Sequence, residues 1–277
     1  MAAHDSSATS SFVEVGHGDA RLAVEVSGTG PAFVWGHPLM SSMRAEERAG
    51  VFDWSATGAR VIRYDARSHG RSSVDPRAEH HRWEVLADDM LEVATAADAP
   101  SAIFGGGSMG AATAVWAALL APERVRGLVL AIPPTAWGAR ERQRRVYQVL
   151  GAAAATRLLL PLMLGLRLPR PRPERATQAA LADAVVHDAS RRSPPHLAPP
   201  LRGAAMSDLP SVEDVARIDV PTLVLAWRGD RSHPLSVAHT LESAMPRADL
   251  VIAEGGDLST WPTRVADFAA HVAATND

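Results

Sequence analysis

The chain has 277 residues, 47% apolar and 21% charged, with a net charge of −3 and no cysteine. Such a chain can bury a large core as one α/β-type unit, with room for an inserted subdomain. The small net charge argues against nucleic acid or anionic membrane as partners, and the missing cysteines exclude disulfides, thiolate nucleophiles and Cys-ligated metals. Met1 to Ser11 is small and polar, without the apolar stretch of a secretion signal, so a cytoplasmic protein is expected. The most apolar run, Leu158 to Leu168, is broken by Pro161, Gly165 and Arg167 and is too short to span a bilayer.

Phe12-Val13-Glu14-Val15 and Leu22 to Val26 alternate as β-strands and read as a hairpin across Gly16 to Asp19. Ala32-Phe33-Val34-Trp35 is a short continuous apolar run, the pattern of a buried parallel strand. A turn from Gly36 to Ser42 follows, then a predicted helix from Arg44 to Thr57. Arg60 to Tyr64 is the next strand, and His81 to Ala97 places Trp83, Leu86, Met90 and Val93 at helical spacing. Ser101 to Phe104 is a strand before an Ala-rich helix that runs to Leu120, and Gly127 to Ile132 is another buried strand.

The pattern changes between Trp137 and Pro210. No convincing strand appears there, and Pro169 to Pro173 and Pro194 to Pro200 read as breaks. A helical insertion over one end of the sheet is expected at 137–210, between core segments 1–136 and 211–277. Its arginines read as a solvated helical face more readily than as an anion site. The core resumes with a short helix at Val212 to Ala216 and a strand ending at Trp227. Leu235 to Ala244, Ala248 to Ile252 and Thr263 to Ala273 then read as helix, strand and helix. Strands alternating with helices predict a mostly parallel sheet with right-handed crossovers.

Gly106-Gly107-Ser108-Met109-Gly110 fits G-x-S-x-G and lies between a strand and a helix. A sharp turn there would hold Ser108 in a strained conformation at the top of the sheet, over a helix N-terminus that favours developing negative charge. Three further motifs occur in order around it. They are the His37 turn, Asp65-x-Arg67-x-His69-Gly70-x-Ser72, and Gly229-Asp230-x-x-x-Pro234.

Together these motifs resemble the α/β-hydrolase family, and the likeness covers nearly the whole chain. It is closest to members with a helical cap, which include enol-lactonases, esterases, epoxide hydrolases and cofactor-free haloperoxidases. The resemblance implies an eight-stranded, mostly parallel sheet with helices on both faces and a helical cap. It implies no cofactor, no metal, and a small-molecule substrate as partner; a homodimer stays open. Ser108 takes the nucleophile's place, and a serine there argues against epoxide hydrolase or dehalogenase chemistry. Asp230 takes the place of the triad acid. The oxyanion donors would be the N–H groups of Met109 and Leu39, since Pro38, where glycine is common, has no N–H. His37 and His69 match positions that shape turns. The substrate pocket is expected near Ser108, Leu39 and Met109, with His37, Trp35, Trp137 and Trp227 at its edge, and a small apolar ester or lactone is the implied substrate.

The base is the departure from that pattern. In the family it is a histidine after the last strand, and here Asp257 stands at that place, with the next histidine, His271, inside the final helix. An ionised aspartate only accepts hydrogen bonds, so it cannot relay between Asp230 and a serine hydroxyl, and its reference pKa of about 3.9 makes it a weaker base than imidazole at about 6.5. Three readings stay open. The triad base is lost, by nature or by design; or Asp257 or Asp230 serves as general acid/base in a lyase, isomerase or cyclase; or a histidine from elsewhere substitutes, with His233, His187 and His196 as candidates. Alongside that third reading stands a non-catalytic ligand binder.

Overall fold

The computed structural model describes residues 8–156, 194–230, 232–254 and 257–275. Eight strands form one sheet: β1 Thr9–Val15, β2 Ala20–Ser27, β3 Ala32–Gly36, β4 Arg60–Tyr64, β5 Ala102–Gly107, β6 Val125–Ala131, β7 Thr222–Trp227 and β8 Ala248–Ala253. Their order is β1-β2-β4-β3-β5-β6-β7-β8. β2 pairs antiparallel with β1 and β4, and every other pairing is parallel. All eight strands coincide with the predicted runs. β1 starts earlier than expected, at Thr9 rather than Phe12, because Thr9 to Ser11 continue the ladder opposite Val24 to Val26.

Successive strand residues point to opposite faces, so each apolar run supplies two cores. Val34, Phe104, Leu128, Leu130 and Val224 face one core. Phe33, Trp35, Ile103, Val129, Leu223 and Leu225 face the other. The first core packs on α2 (Trp83–Ala96), α3 (Met109–Leu120) and α7 (Leu235–Ala244), which bury Leu86, Met90, Ala112, Val115 and Leu241 in it. The second packs on α8 (Trp261–Ala274) and the segment Val51 to Trp54.

The predicted helix from Arg44 to Thr57 is two pieces. α1 spans Met43–Ala49 and ends at Gly50, whose φ of 61° is the left-handed conformation that closes helices. A 3₁₀ turn follows at Trp54–Thr57, capped by the Asp53 carboxylate accepting from Ser55 N. Helix α6 is short, Val212–Val215.

Between the strands of the two core segments, α4 (Arg140–Ala155) and α5 (Pro194–Met206) pack against each other. The Pro169 to Pro173 break and His187 lie outside the described residues. The expected break at Pro194 to Pro200 is not one: α5 runs through Pro199 and Pro200. Each proline removes a helical N–H, and tertiary packing compensates. Leu197, Ala198 and Leu201 are buried with Ala154 of α4. The last turn of α5 is held by Arg140, which lies buried with its guanidinium 4.3 Å from the Trp83 ring centroid. It donates to the carbonyls of Ser207 (2.8 Å), Thr135 (3.2 Å) and Ala204. This arginine of the insertion is therefore neither solvated nor an anion receptor. No helix among the described residues is long and apolar enough to cross a membrane.

Candidate active site

Ser108 sits between the end of β5 and the first residue of α3, with φ 49° and ψ −104°. That conformation costs a residue with a Cβ on the order of 1–3 kcal/mol, so the surroundings must enforce it. The glycines do so by allowing contact that no larger residue permits. A Cβ on Gly110 would lie 2.0 Å from the Gly36 carbonyl oxygen, and one on Gly106 would lie 2.4 Å from the Gly110 carbonyl carbon. β3, β5 and α3 thus meet backbone to backbone. Ser108 N donates to Ala131 O at 2.9 Å, and Ser108 O accepts from Ala112 N at 3.0 Å.

The motif Asp65-x-Arg67-x-His69-Gly70-x-Ser72 is scaffold for the adjacent turn. Asp65 accepts from Met43 N and Arg71 N, both at 2.8 Å, and Gly70 (φ 48°) leaves its carboxylate room. Ser72 Oγ donates to Asp65 O and accepts from Ala23 N. His37 Nε2 accepts from Ala66 N at 3.0 Å while its Nδ1 faces Pro38 O at 2.8 Å. His69 Nε2 accepts from Met40 N at 3.3 Å while its Nδ1 faces Arg67 O at 2.8 Å. Acceptance at Nε2 assigns both rings the neutral Nδ1–H tautomer. Both histidines are buried and shape the turn after β3, as expected of them.

Around Leu39 that turn commits its N–H groups. Pro38 has none, Met40 N is used by His69, and Ser41 N donates to Pro38 O at 3.1 Å. No hydrogen bond among the described residues uses Leu39 N. Met109, as the first residue of α3, has an N–H with no intrahelical acceptor. These are the two donors the sequence singled out.

The imidazole at Ser108 belongs to His233. Its Nε2 lies 2.9 Å from Ser108 Oγ, and its Nδ1 lies 2.8 Å from Asp230 Oδ2. A carboxylate can only accept, so Nδ1 carries the hydrogen and the Nε2 lone pair faces the serine hydroxyl. Asp230 and His233 share the loop between β7 and α7. Asp230 Oδ1 accepts from Ser232 N at 2.8 Å and His233 N at 3.2 Å, which wraps the loop around the carboxylate. Both side chains are largely buried, 12% exposed for Asp230 and 18% for His233. Burial pushes the Asp230 carboxyl up. The hydrogen bond and charge of His233 and the two backbone donors outweigh it and hold the group below the ordinary carboxylate value.

This corrects the expectation that Asp257 leaves the serine without a base. Asp257, in the loop between β8 and α8, is exposed and accepts from Ser259 N at 3.0 Å. The hydrogen bonds from Ser259 hold its pKa below the ordinary value. No hydrogen bond among the described residues joins this carboxylate to Ser108. Of the other candidate histidines, His196 lies on α5. The available signal was the closeness of Asp230 and His233 in sequence, since an aspartate turns its own chain back by bonding the backbone two residues on, here Ser232 N.

Of the expected pocket residues, Trp35 and Trp227 line a small cavity with Pro38 and with Gly107, which directly precedes Ser108. Trp137 does not line it. Its Nε1 donates to Pro210 O at 2.8 Å and its N to Asp208 Oδ1 at 3.1 Å, which ties the strand end to the segment after α5.

A family model described as alpha/beta hydrolase fold matches residues 46–161. The chain is 30% identical over 181 residues to 3-oxoadipate enol-lactonase 2 of Acinetobacter baylyi, a match that spans 61% of this chain and 61% of that protein. Among solved structures it superposes on the enol-lactonase from Burkholderia xenovorans with a TM-score of 0.76 at 21% identity, over 94% of this chain and 100% of that one. It superposes on a thermophilic esterase from Thermogutta terrifontis with a TM-score of 0.70 at 22% identity, over 95% and 97%.

Proposed function

We propose that this chain, which belongs to the α/β-hydrolase fold family, hydrolyses a small, fairly apolar carboxylic ester or lactone through Ser108. The observation that carries the reading is the continuous chain Ser108 Oγ, His233, Asp230 at 2.9 Å and 2.8 Å. The substrate class is supported by the relatives, whose names are those of enol-lactonases and an esterase.

In this reading His233 Nε2 takes the Ser108 proton as Oγ attacks the carbonyl carbon. Asp230 keeps the ring in the required tautomer and stabilises the imidazolium that forms. The carbonyl oxygen becomes an oxyanion facing the N–H groups of Met109 and Leu39, at the N-terminus of α3. Collapse of the tetrahedral intermediate breaks the bond to the leaving oxygen, which takes the proton from His233. Water then repeats the sequence on the acyl-serine, with His233 again as base, and releases the acid. The strained serine backbone is part of the arrangement, since it lies between β5 and α3 with Oγ 2.9 Å from His233 Nε2.

A lyase or cyclase using Asp257 has less support, because an exposed carboxylate bonded to Ser259 lacks the buried setting of a general acid. The test is labelling by a serine-directed fluorophosphonate together with turnover of p-nitrophenyl acetate. Labelling of the native chain that is lost in Ser108→Ala and strongly slowed in His233→Ala supports the reading. Labelling unaffected by His233→Ala defeats it.

A further inference from the structure

The small cavity beside the Ser108 turn has a lining that packing alone does not explain. Its lining includes Trp35, Phe52, Trp54, Trp227 and Trp261 together with Glu46. Two of these groups carry buried polar atoms without a partner, Glu46 Oε2 and Trp261 Nε1. Glu46 as a residue is half-buried, but Oε2 itself is sealed from solvent; Oε1 is used, accepting from Trp35 Nε1 at 3.0 Å. An unmatched buried polar atom costs about 1–3 kcal/mol, so two on residues that line one cavity point to a common partner.

The chemistry of that partner is constrained from both sides. Trp261 Nε1 only donates. Glu46 Oε2 accepts when ionised and donates when protonated. Burial pushes this carboxyl up to about 7, against the Trp35 hydrogen bond and the Arg63 charge, so both states are accessible. An anion would be repelled by the ionised carboxylate. An ammonium would leave the indole N–H unmatched, and a hydrocarbon would leave both atoms unmatched. A hydroxyl accepts from the indole in either state, and it donates to the carboxylate or accepts from the carboxylic acid. The cavity volume of about 30 Å³ admits that hydroxyl with a short carbon stem, since one water needs roughly 10–15 Å³. The indole and phenyl faces supply apolar contact for the stem.

We propose that this cavity binds the hydroxyl end of a short-chain alcohol, held between Trp261 Nε1–H and Glu46 Oε2. The site is distinct from the Ser108–His233–Asp230 chain, since neither Ser108 nor His233 lines it. It adjoins that chain through Gly107 and Pro38, the residue before the serine and the turn after β3. A site for an alcohol at this place suits a protein that releases one, but binding there does not depend on that reading.

The test is a ¹⁹F NMR titration of the full-length chain labelled with 5-fluorotryptophan, using ethanol as ligand and propane-saturated buffer as its apolar isostere. Trp261→Phe assigns the resonance. Ethanol is expected to shift the Trp261 signal saturably while propane does not. Glu46→Leu is expected to raise the half-saturating concentration about tenfold or more, and Glu46→Gln, which keeps both hydrogen-bonding roles, only about threefold. A shift that is linear in ethanol, an equal response to propane, or an unchanged midpoint in Glu46→Leu overturns the proposal. A crystal soaked in ethanol gives the second readout: an alcohol oxygen bonded to both groups supports it, and a water that ethanol does not displace overturns it. Both measurements read binding without turnover, so they are independent of whether Ser108 is a nucleophile.

Discussion

His233 Nε2 meets Ser108 Oγ at 2.9 Å across 125 positions of sequence, while its other nitrogen bonds Asp230 only three positions away. The imidazole at the serine and its own carboxylate partner therefore come from one loop, after β7. A family pattern with the base after the last strand places them in two. Any shift of the β7–α7 loop moves acid and imidazole together relative to the turn between β5 and α3.

The first prediction follows from that placement. Ser108→Ala and His233→Ala should each lower kcat/KM for p-nitrophenyl acetate by about 10³-fold or more, and the double variant should be little worse than either, because the residues act as a unit. Asp257→Asn should stay within about twofold. Asp257→His should give no gain of orders of magnitude, since an imidazole already bonds Ser108. A large gain in Asp257→His would mean that His233 is not the working base.

Much of the fold was legible, because it rests on local patterns. The eight strands are short apolar runs bounded by turn residues, and G-x-S-x-G marks the place where β3, β5 and α3 touch through Gly36, Gly106 and Gly110. The elements that were misread depend on partners remote in sequence. α5 continues through Pro199 and Pro200 because α4 and Arg140 hold it, which no local rule reveals. The histidine beside Ser108 was missed for the same reason. The sequence offered His233 among three histidines, and only the folded loop brings its ring to Ser108. A Gly at position 50, by contrast, was a local stop signal inside the predicted Arg44 to Thr57 helix.

Asp230→Asn should separate orientation from folding. An amide can turn its NH₂ toward His233 and favour the wrong tautomer, so kcat should fall by about 10²–10⁴-fold. The Asp230 pKa lies below its ordinary value in the folded chain, so its contribution to stability is present above the unfolded pKa and is lost only as pH falls through the still lower folded value. Between about pH 5 and 8 the stability difference between native and variant chains should then be constant. Urea melts across that range check it, and a difference that shrinks toward pH 5 would contradict the ionised carboxylate.

Arg67 is the most heavily bonded side chain of its motif. It is fully buried, bridges Asp89 through Nε at 2.8 Å and Nη2 at 2.5 Å, and reaches Asp75 Oδ2 at 2.9 Å and His17 O at 2.7 Å through Nη1. Arg67→Met leaves Asp89 buried without its cation, while Asp75 keeps Arg77 at 3.1 Å, and should cost about 3–5 kcal/mol. Arg67→Lys should recover little of it, because a single ammonium cannot span both carboxylates. Denaturant unfolding measures both. A Lys variant as stable as the native chain would show that charge alone, without the fork, holds this loop.

His81 gives the chain an acid-sensitive point away from Ser108. It is buried, its Nδ1 faces Arg77 O at 2.9 Å, and its Nε2 lies 3.0 Å from Ser68 Oγ. Burial lowers its pKa to about 4; the Arg77 hydrogen bond opposes this and the Arg67 charge adds to it. The unfolded chain therefore binds the proton first, and stability supplied by neutral His81 is complete above about pH 6.5 and is lost as pH falls through about 4. Glu46 titrates with the opposite sign over an overlapping window, from about 7 in the folded chain down to its unfolded value, so the native curve alone does not isolate His81. The difference between the native chain and His81→Gln does. It should favour the native chain most near neutrality, shrink steadily toward pH 4, and amount to at most about 3 kcal/mol at its largest change. Melting temperatures of the two proteins across that range decide it, and parallel curves would mean that His81 does not titrate with unfolding.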